Sequence, residues 1–221
     1  MRLSATGLVL GCVLFLGVGT AFGNLITNGN FELGGTGFGS QYQYALSNAG
    51  ATKEFTLAST PSSWNPTFSN PTLSGHGSML LIANGSTSVF DQVWSSTLNV
   101  TAGNTYYVTF DAVSLTEANR AKLRLYAALD PDDPIAAANV ATADLSLSSS
   151  NTWGTYSGSF LATNTALITI FISDLKTASI GNDFAIDNIT TVVPEPSSLA
   201  LLGVGSLIGL GVYTRRRRKN A

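Results

Sequence analysis

The stretch NTYYVTFDAV, residues 104–113, decides the fold class of this chain. Apolar side chains stand at every second position, namely Tyr106, Val108, Phe110 and Ala112. A period of two is typical of a β-strand that buries one face and exposes the other. The stretch therefore predicts a half-buried strand in which Tyr107 points away from the core.

Three further stretches repeat this alternation: AKLRLYAAL (121–129), ALITIFIS (166–173) and DFAIDNITTVV (183–193). In the first of them, Tyr126 lies on the face opposite to the leucines. Shorter strand candidates are NLITNGNFE, QYQYAL, SMLLIAN, VFDQVW and TLNV, with clusters of Gly, Pro, Asn and Ser between them. Strands at short intervals without a convincing amphipathic helix predict an all-β sandwich.

The first 23 residues have the anatomy of a secretory signal peptide. Arg2 precedes an apolar run, and small residues at Ala21 and Gly23 suit cleavage before Asn24. The only cysteine, Cys12, lies within this segment, so we expect a sandwich without disulfide bonds. Lipidation of Cys12 is the alternative, but the apolar run continues well past that residue.

The predicted sandwich, residues 24–193, carries five Lys and Arg against twelve Asp and Glu, a net charge of −7. This balance argues against nucleic acid as a partner, because nucleic-acid recognition needs a basic surface. His76 is the only histidine, and no G-x-S-x-G motif accompanies it. We therefore expect a protein that is not an enzyme. A glycoside hydrolase remains an alternative, since only their separation in space identifies paired catalytic carboxylates.

Five short motifs in order resemble the jelly-roll carbohydrate-binding modules of the galactose-binding-like superfamily. They are LITNGNFE (25–32), GHGSML (75–80), FDQVW (90–94), LNVTAGNTYYVTFDA (98–112) and FAIDNITTV (184–192). The resemblance spans nearly all of residues 24–193 and implies a jelly-roll β-sandwich. It also implies that Glu32 and Asp187 help to hold a structural Ca²⁺, an ion that favours oxygen ligands. The alternative is that both are ordinary solvated residues at the edge of a sheet.

If the sandwich binds a glycan, exposed aromatic rings are the expected contacts, because sugar rings stack on them. Tyr107 and Tyr126 face away from the apolar sides of their strands and are the candidates. The alternative is a purely structural or adhesive protein that has no glycan site.

Residues 194–221 complete a tail that resembles the PEP-CTERM sorting signal. Pro194, Glu195 and Pro196 precede an apolar run from Leu199 to Tyr213, and a cationic cluster follows: Arg215, Arg216, Arg217, Arg218 and Lys219. The run predicts a single transmembrane helix, and its cations are expected to stay cytoplasmic. A plain C-terminal anchor is the alternative.

The resemblance of the tail implies processing by an exosortase in a biofilm-forming Gram-negative bacterium. The protein would be held in the inner membrane before processing and reach the cell surface or the extracellular polysaccharide matrix afterwards. We therefore expect an exported, non-catalytic surface protein that binds exopolysaccharide.

Overall fold

A computed structural model of the chain describes residues 23–47, 51–129, 145–148, 151–178 and 181–193. All of them belong to one compact unit, Phe22–Pro194. The predicted signal peptide up to residue 22 and the predicted tail from residue 194 lie outside the described residues. Among the described residues, no helix is long and apolar enough to cross a membrane.

Ten β-strands and one short helix make up the secondary structure of the described residues. The strands are β1 Gln43–Tyr44, β2 Glu54–Ala58, β3 Leu80–Ala83, β4 Gln92–Val100, β5 Thr105–Ser114, β6 Lys122–Ala128, β7 Leu145–Ser146, β8 Gly154–Leu161, β9 Ala166–Asp174 and β10 Phe184–Val192. The helix, α1, spans Pro61–Trp64. The four long alternating stretches of the sequence are thus β5, β6, β9 and β10, as predicted.

The strands form two sheets that pack face to face. One has six strands in the order β1-β2-β3-β10-β5-β8, and the other has four in the order β4-β9-β6-β7. All neighbouring strands run antiparallel except β1 and β2, which are parallel. The all-β jelly-roll sandwich predicted from the sequence is confirmed.

The main core lies between the sheets and takes the inward side chains of both. Phe110 of β5, Ile186 of β10, Trp94 of β4 and Ile170 of β9 are all fully buried there. A smaller apolar cluster covers part of the outer face of the six-stranded sheet, where Trp64 of α1 packs. The outer face of the six-stranded sheet is therefore partly covered by this cluster and partly exposed to solvent.

The N-terminal segment differs from its prediction as a strand. Residues 26–30 form turns, and Asn28 and Phe31 have positive φ values of 56° and 57°, which a regular strand does not allow. The segment still lies against β10, because Leu25 donates a backbone hydrogen bond to Thr191 and Ile189 donates one to Gly29, both 2.8 Å long. Phe31 is fully buried and closes this side of the core.

A polar network joins the ends of β6, β9 and β10 through the buried side chain of Asp174. Its Oδ1 accepts a hydrogen bond of 3.0 Å from the backbone N–H of Lys176, and its Oδ2 accepts one of 2.6 Å from the amide of Asn182. Burial nevertheless raises the pKa of Asp174 to about 6, while these hydrogen bonds partly offset the rise. Both oxygens of the carboxyl group thus have hydrogen-bond donors, but burial still makes its ionisation unfavourable.

Replacement of Gly29 by alanine should destabilise the sandwich by about 2 kcal/mol or more. A Cβ atom at this position would lie 1.9 Å from the carbonyl oxygen of Ile189, so the backbone of β10 would have to move. Gly35→Ala is the matched control, because a Cβ atom there meets nothing within 4 Å. Denaturant unfolding of the full chain compares the two. Equal unfolding free energies for the two variants would contradict the packing described.

Replacement of Asp174 by asparagine should flatten the dependence of stability on pH. The raised pKa means that the folded state keeps a proton that the unfolded chain releases near its ordinary pKa of 3.8. The free energy of unfolding of the native chain therefore falls as pH rises from about 4 to about 6, and is constant above that range. An amide cannot ionise, so the variant escapes this loss, which is about 3 kcal/mol at most.

Melting temperatures measured for both proteins from acid to neutral pH test this expectation. The native chain should lose stability relative to the Asp174→Asn variant within that window and not outside it. Parallel curves would show that Asp174 ionises in the folded state as easily as in water.

Candidate functional site

Two acidic residues, Asp187 and Asp111, lie opposite each other on neighbouring strands of the six-stranded sheet. Asp187 of β10 pairs with Asp111 of β5, and the register of the two strands shifts directly after this pair. At the shift, Asn188 adopts a positive φ of 51°. Residues paired in this way point to the same face, here the outer face of the six-stranded sheet. Like charges in directly opposite positions destabilise a sheet unless something compensates them.

Asp111 has partners for both of its carboxylate oxygens. Oδ1 accepts a hydrogen bond of 2.6 Å from the hydroxyl group of Thr155, and Oδ2 accepts one of 2.9 Å from the side-chain amide of Asn188. The same amide donates to the carbonyl oxygen of Gly75 at 2.9 Å, which ties the loop before β3 to this sheet. The charge of Asp111 is thus well solvated by protein groups.

Asp187, in contrast to Asp111, is buried without hydrogen-bond partners for its carboxylate oxygens. Its side chain is fully buried, and neither carboxylate oxygen has a hydrogen-bond partner within the described part of the chain. Burial raises its pKa to about 7, and the nearby charges of Asp111 and Glu32 add to the rise. The backbone N–H of Asn188 lowers the pKa somewhat without completing a well-formed hydrogen bond. An ionised Asp187 therefore lacks a compensating charge.

His76 lies beside this pair but does not supply the missing charge. Its Nδ1 is 3.5 Å from Oδ2 of Asp187 and 3.8 Å from Oδ2 of Asp111. The imidazole ring stacks on Trp153, with ring centroids 3.9 Å apart and an angle of 18° between the planes. Burial lowers the pKa of His76, and the attraction of Asp111 only opposes that effect. At neutral pH the ring is accordingly uncharged.

Glu32 reaches the same cluster from the N-terminal turns. Its Oε1 accepts hydrogen bonds from the backbone N–H groups of Ser78 and Met79, at 2.5 and 2.9 Å. Gly77 has a positive φ of 61°, and a Cβ atom there would lie 2.3 Å from Oε1 of Glu32. A larger residue at this position would displace the carboxylate of Glu32 from where it lies. The charge of Glu32 adds to the raised pKa of Asp187, so the two carboxyl groups interact, and their role as calcium ligands stays a prediction.

The oxygen atoms around Asp187 offer a partial ligand set for a cation. Among the described residues, no group of three or more His, Cys, Asp or Glu side chains is arranged to hold a metal ion. Backbone carbonyl oxygens can also supply part of the coordination of calcium. The two buried oxygens of Asp187 without partners fit such an ion, whereas the equally buried Asp174 has hydrogen-bond donors on both oxygens.

Sequence reasoning missed most of the groups around Asp187. His76 lies in the loop before β3, and nothing in the sequence placed Asp111, Asn188 and Trp153 near it. Their approach depends on the pairing of β5 with β10 and on the loop that follows α1. A single sequence carries no signal of such long-range pairing.

The two tyrosines predicted as glycan contacts have different environments. Tyr107 is 45% exposed on the outer face of the six-stranded sheet. The prediction that Tyr126 is a surface residue is wrong, because its side chain is only 1% exposed. It does point away from the main core, but its ring stacks on Phe171 at 4.8 Å, and Phe90 and Arg124 also pack against it.

The predicted sorting residues, Pro194, Glu195, Pro196 and Arg215 to Arg218, lie outside the described residues. Comparison with known families nevertheless identifies this region: residues 192–218 match the model of the PEP-CTERM protein-sorting motif. A comparison with curated proteins gives no match.

Solved structures that resemble the chain include several carbohydrate-binding modules. The EclA C-terminal domain, a sugar-binding protein, is 28% identical over 45% of this chain and 66% of that chain, with a TM-score of 0.38. The CBM22-1 xylan-binding domain of Paenibacillus barcinonensis Xyn10C is 12% identical over 54% and 75%, with a TM-score of 0.42. TmCBM61 in complex with β-1,4-galactotriose is 15% identical over 77% and 99%, with a TM-score of 0.47. The chain thus carries a PEP-CTERM sorting motif that begins at Val192, the last residue of β10.

Proposed function

We propose that this chain is an exported surface protein whose sandwich binds a glycan and catalyses no reaction on it. The sorting motif at residues 192–218 supports export and surface sorting. The exposed ring of Tyr107, on a sheet face rich in hydroxyl groups, is the observation that carries glycan binding.

Sorting would proceed from the inner membrane. The predicted signal peptide directs export, and the apolar run with its arginines holds the tail in the membrane. Two prolines at 194 and 196 disfavour helix around them, and we expect this to keep the cleavage region accessible to an exosortase. Cleavage there would release the sandwich to the cell surface or the polysaccharide matrix.

The Tyr107 face has the composition of a sugar platform. Across the neighbouring strands, Tyr107 pairs with Ser159 of β8 and Val192 of β10. Thr109 lies two residues after Tyr107 on β5 and pairs with Thr190 of β10. The hydroxyl groups of these two threonines lie 2.7 Å apart. A pyranose ring can lay its apolar face on the tyrosine, while its hydroxyl groups form hydrogen bonds with the serine and threonine side chains around it.

The facing carboxyl groups of Asp111 and Asp187 do not favour glycoside hydrolysis as the function of this chain. Glycoside hydrolysis needs two carboxyl groups that face one cleft and reach the substrate. Asp187 is fully buried, and both oxygens of Asp111 are taken up by Thr155 and Asn188. A substrate could not reach this pair without displacing the groups that cover it.

Replacement of Tyr107 by alanine should weaken glycan binding roughly tenfold, which corresponds to about 1.4 kcal/mol. Tyr44 is 51% exposed at another site on the sandwich, so Tyr44→Ala is the matched control and should bind like the native chain. Affinity electrophoresis of the full chain in gels containing the host exopolysaccharide, galactan or xylan measures retention. If none of these gels retards the native chain, glycan binding is refuted.

We further propose that the sandwich holds one structural Ca²⁺ at Asp187 and Glu32. Asp187 would supply its buried oxygens, Glu32 the oxygen that does not accept from Ser78 and Met79, and backbone carbonyls the rest. When bound, the ion would neutralise the facing carboxylates and fix the N-terminal turns against β10. This replaces the cross-link that a chain without cysteines in its sandwich cannot make.

Calcium at a hundredfold excess over its dissociation constant should stabilise the fold by about 2.7 kcal/mol. That corresponds to a rise in melting temperature of about 5 to 10 °C, which a chelator reverses. Asp187→Asn should abolish the rise, whereas the matched variant Asp174→Asn should retain it. An unchanged melting temperature of the native chain in calcium would remove the proposed site.

A second candidate function is a matrix component that assembles with its own copies and has no glycan site. The edge of the six-stranded sheet favours it: β8, with sequence GTYSGSFL, contains neither a charged residue nor a proline. Natural edge strands usually carry such residues to prevent pairing between molecules. Assembly of the chain in the absence of any polysaccharide would support this candidate.

A further inference from the structure

Two short turns close the end of the sandwich at which β10 finishes. Val192, the last residue of β10, pairs there with Tyr107, near the start of β5. The turns 101–104 and 162–165 connect the two sheets at this end, and backbone hydrogen bonds of 2.8 and 2.9 Å at Ala162 tie one turn to the other. We call this end of the sandwich the tail end, because the sorting motif begins at Val192.

Large apolar side chains are exposed around the tail end. Leu129 is 68% exposed, Leu167 is 58% exposed and Leu161 is 54% exposed. Leu129 and Leu161 line a common cavity of about 60 Å³ together with Phe160 and Ile168. Pockets for small molecules usually have volumes of about 300 Å³ or more, so this cavity does not indicate a small-molecule site. Exposed apolar side chains that cluster in this way are typical of a surface that contacts a protein or a membrane.

The charged side chains of the described residues lie away from the tail end. The turns 101–104 and 162–165 contain none, and residues 130–133, which follow Leu129 and include three aspartates, lie outside the described residues. The loops at the opposite end, which join β3 to β4, β5 to β6 and β9 to β10, carry charged residues: Asp91, Glu117, Arg120, Lys176 and Asp183. The described sandwich therefore has one apolar end and one charged end.

The length of the chain beyond β10 limits how far the tail end can lie from a membrane. Five residues, 194–198, connect Val193 to the apolar run that begins at Leu199. A fully extended chain from Val193 to Leu199 spans about 20 Å. While the apolar run spans the membrane, as proposed above, the tail end is the part of the sandwich that this short connection holds near the lipid.

We propose that the tail end rests on the lipid surface of the inner membrane until the sorting motif is cleaved. The inference rests on the proposed insertion of the apolar run into that membrane. Leu129, Leu161 and Leu167 enter the headgroup region, where apolar side chains are stabilised by leaving water. The described turns beside them have no charged side chain whose desolvation would oppose this contact. The charged end of the sandwich points toward the aqueous side.

The contact depends on the short connection as well as on the leucines. Three leucines alone do not hold a folded domain on a bilayer, since even a myristoyl chain gives only marginal membrane binding. The connection keeps the leucines at a high effective concentration beside the lipid, which makes a weak contact persist. Cleavage of the sorting motif removes the connection and therefore also ends the contact with lipid.

The test attaches a fluorescent probe to one end of the sandwich in the full chain, with Cys12→Ser as the background. Thr163→Cys places the probe in the turn after β8, at the tail end. Thr87→Cys is the matched control, because Thr87 is an exposed threonine in the loop between β3 and β4, at the opposite end. The chain is reconstituted into phosphatidylcholine vesicles whose lipids carry a nitroxide quencher just below the headgroup. Flotation shows that the chain is in the membrane.

A second pair of variants separates the leucines from the connection. The tail-end variant combines Leu129→Ser, Leu161→Ser and Leu167→Ser. Its matched control combines Leu33→Ser and Leu46→Ser, since both of these leucines are exposed and lie outside the tail end. Melting temperatures confirm that each variant is folded.

We expect strong quenching at position 163 and almost none at position 87, with no dependence on salt, because the contact is apolar. The tail-end variant should lose most of the quenching at position 163 although it still floats with the vesicles, whereas its control should keep it. Equal quenching at both positions would overturn the inference. Quenching at position 163 that the tail-end variant retains would also overturn it, since the connection alone would then explain the proximity.

Two further outcomes would also count against the lipid contact. Quenching that requires an added exosortase would assign the tail end to that protein instead of to lipid. A native chain that does not float with the vesicles would refute the proposed membrane stage of sorting, on which this inference rests. The flotation result therefore distinguishes a failure of the proposed sorting from a failure of the lipid contact.

Discussion

The rest of this structure depends on the insertion of β10, the last strand, into the middle of a sheet. It pairs with β3 on one side and with β5 on the other, and the N-terminal turns attach to it as well. None of these contacts can form until the whole sandwich sequence is present, since they join residues far apart along the chain. Such a topology folds slowly, because long loops must close before their contacts repay the entropy. Completion of the fold after export is therefore compatible with a sorting motif that begins where β10 ends.

The same insertion creates the electrostatic conflict at Asp187. A strand in the middle of the sheet has neighbours on both sides, and the register brings Asp187 against Asp111. Asn188, at the bulge, turns its amide toward Asp111 and leaves Asp187 without a donor. His76, whose ring stacks on Trp153, lies against Asp187, and the side chain of Asp187 is fully buried. A carboxyl group in this position either keeps its proton near neutral pH or ionises and binds a cation. The proposed calcium ion would stabilise the fold by binding the ionised form.

The alternation in the sequence predicted the positions of the strands far better than it predicted which outward-facing side chains are buried by other segments. Tyr107 and Tyr126 stand in equivalent places within two alternating stretches, and both point away from the main core. One is open to solvent, whereas the other lies under Phe90 and beside Phe171. Period two gives the face on which a side chain lies, but it does not tell whether another segment packs over that face. The N-terminal turns differ from the prediction because NLITNGNFE alternates only weakly. Asn28 and Phe31 have positive φ values there, and the side chain of Asn28 forms hydrogen bonds with Gly34, Thr36 and Leu33 within the same turns.

Both outer faces of the sandwich are divided between a covered part and an open part, and this division bears on what the protein can bind. Trp64 and its neighbours cover one part of the six-stranded sheet, and the Tyr126 and Phe171 pair occupies one part of the four-stranded sheet. Where the cover of the six-stranded sheet ends, the ring of Tyr107 is exposed, and the hydroxyl side chains of Thr109 and Ser159 lie near it. The covered parts hold the strands rigid, so the open parts present their hydroxyl groups at fixed spacings. Neutral hydroxyl groups beside a flat ring would discriminate between sugars by the placement of their hydroxyl groups rather than by charge.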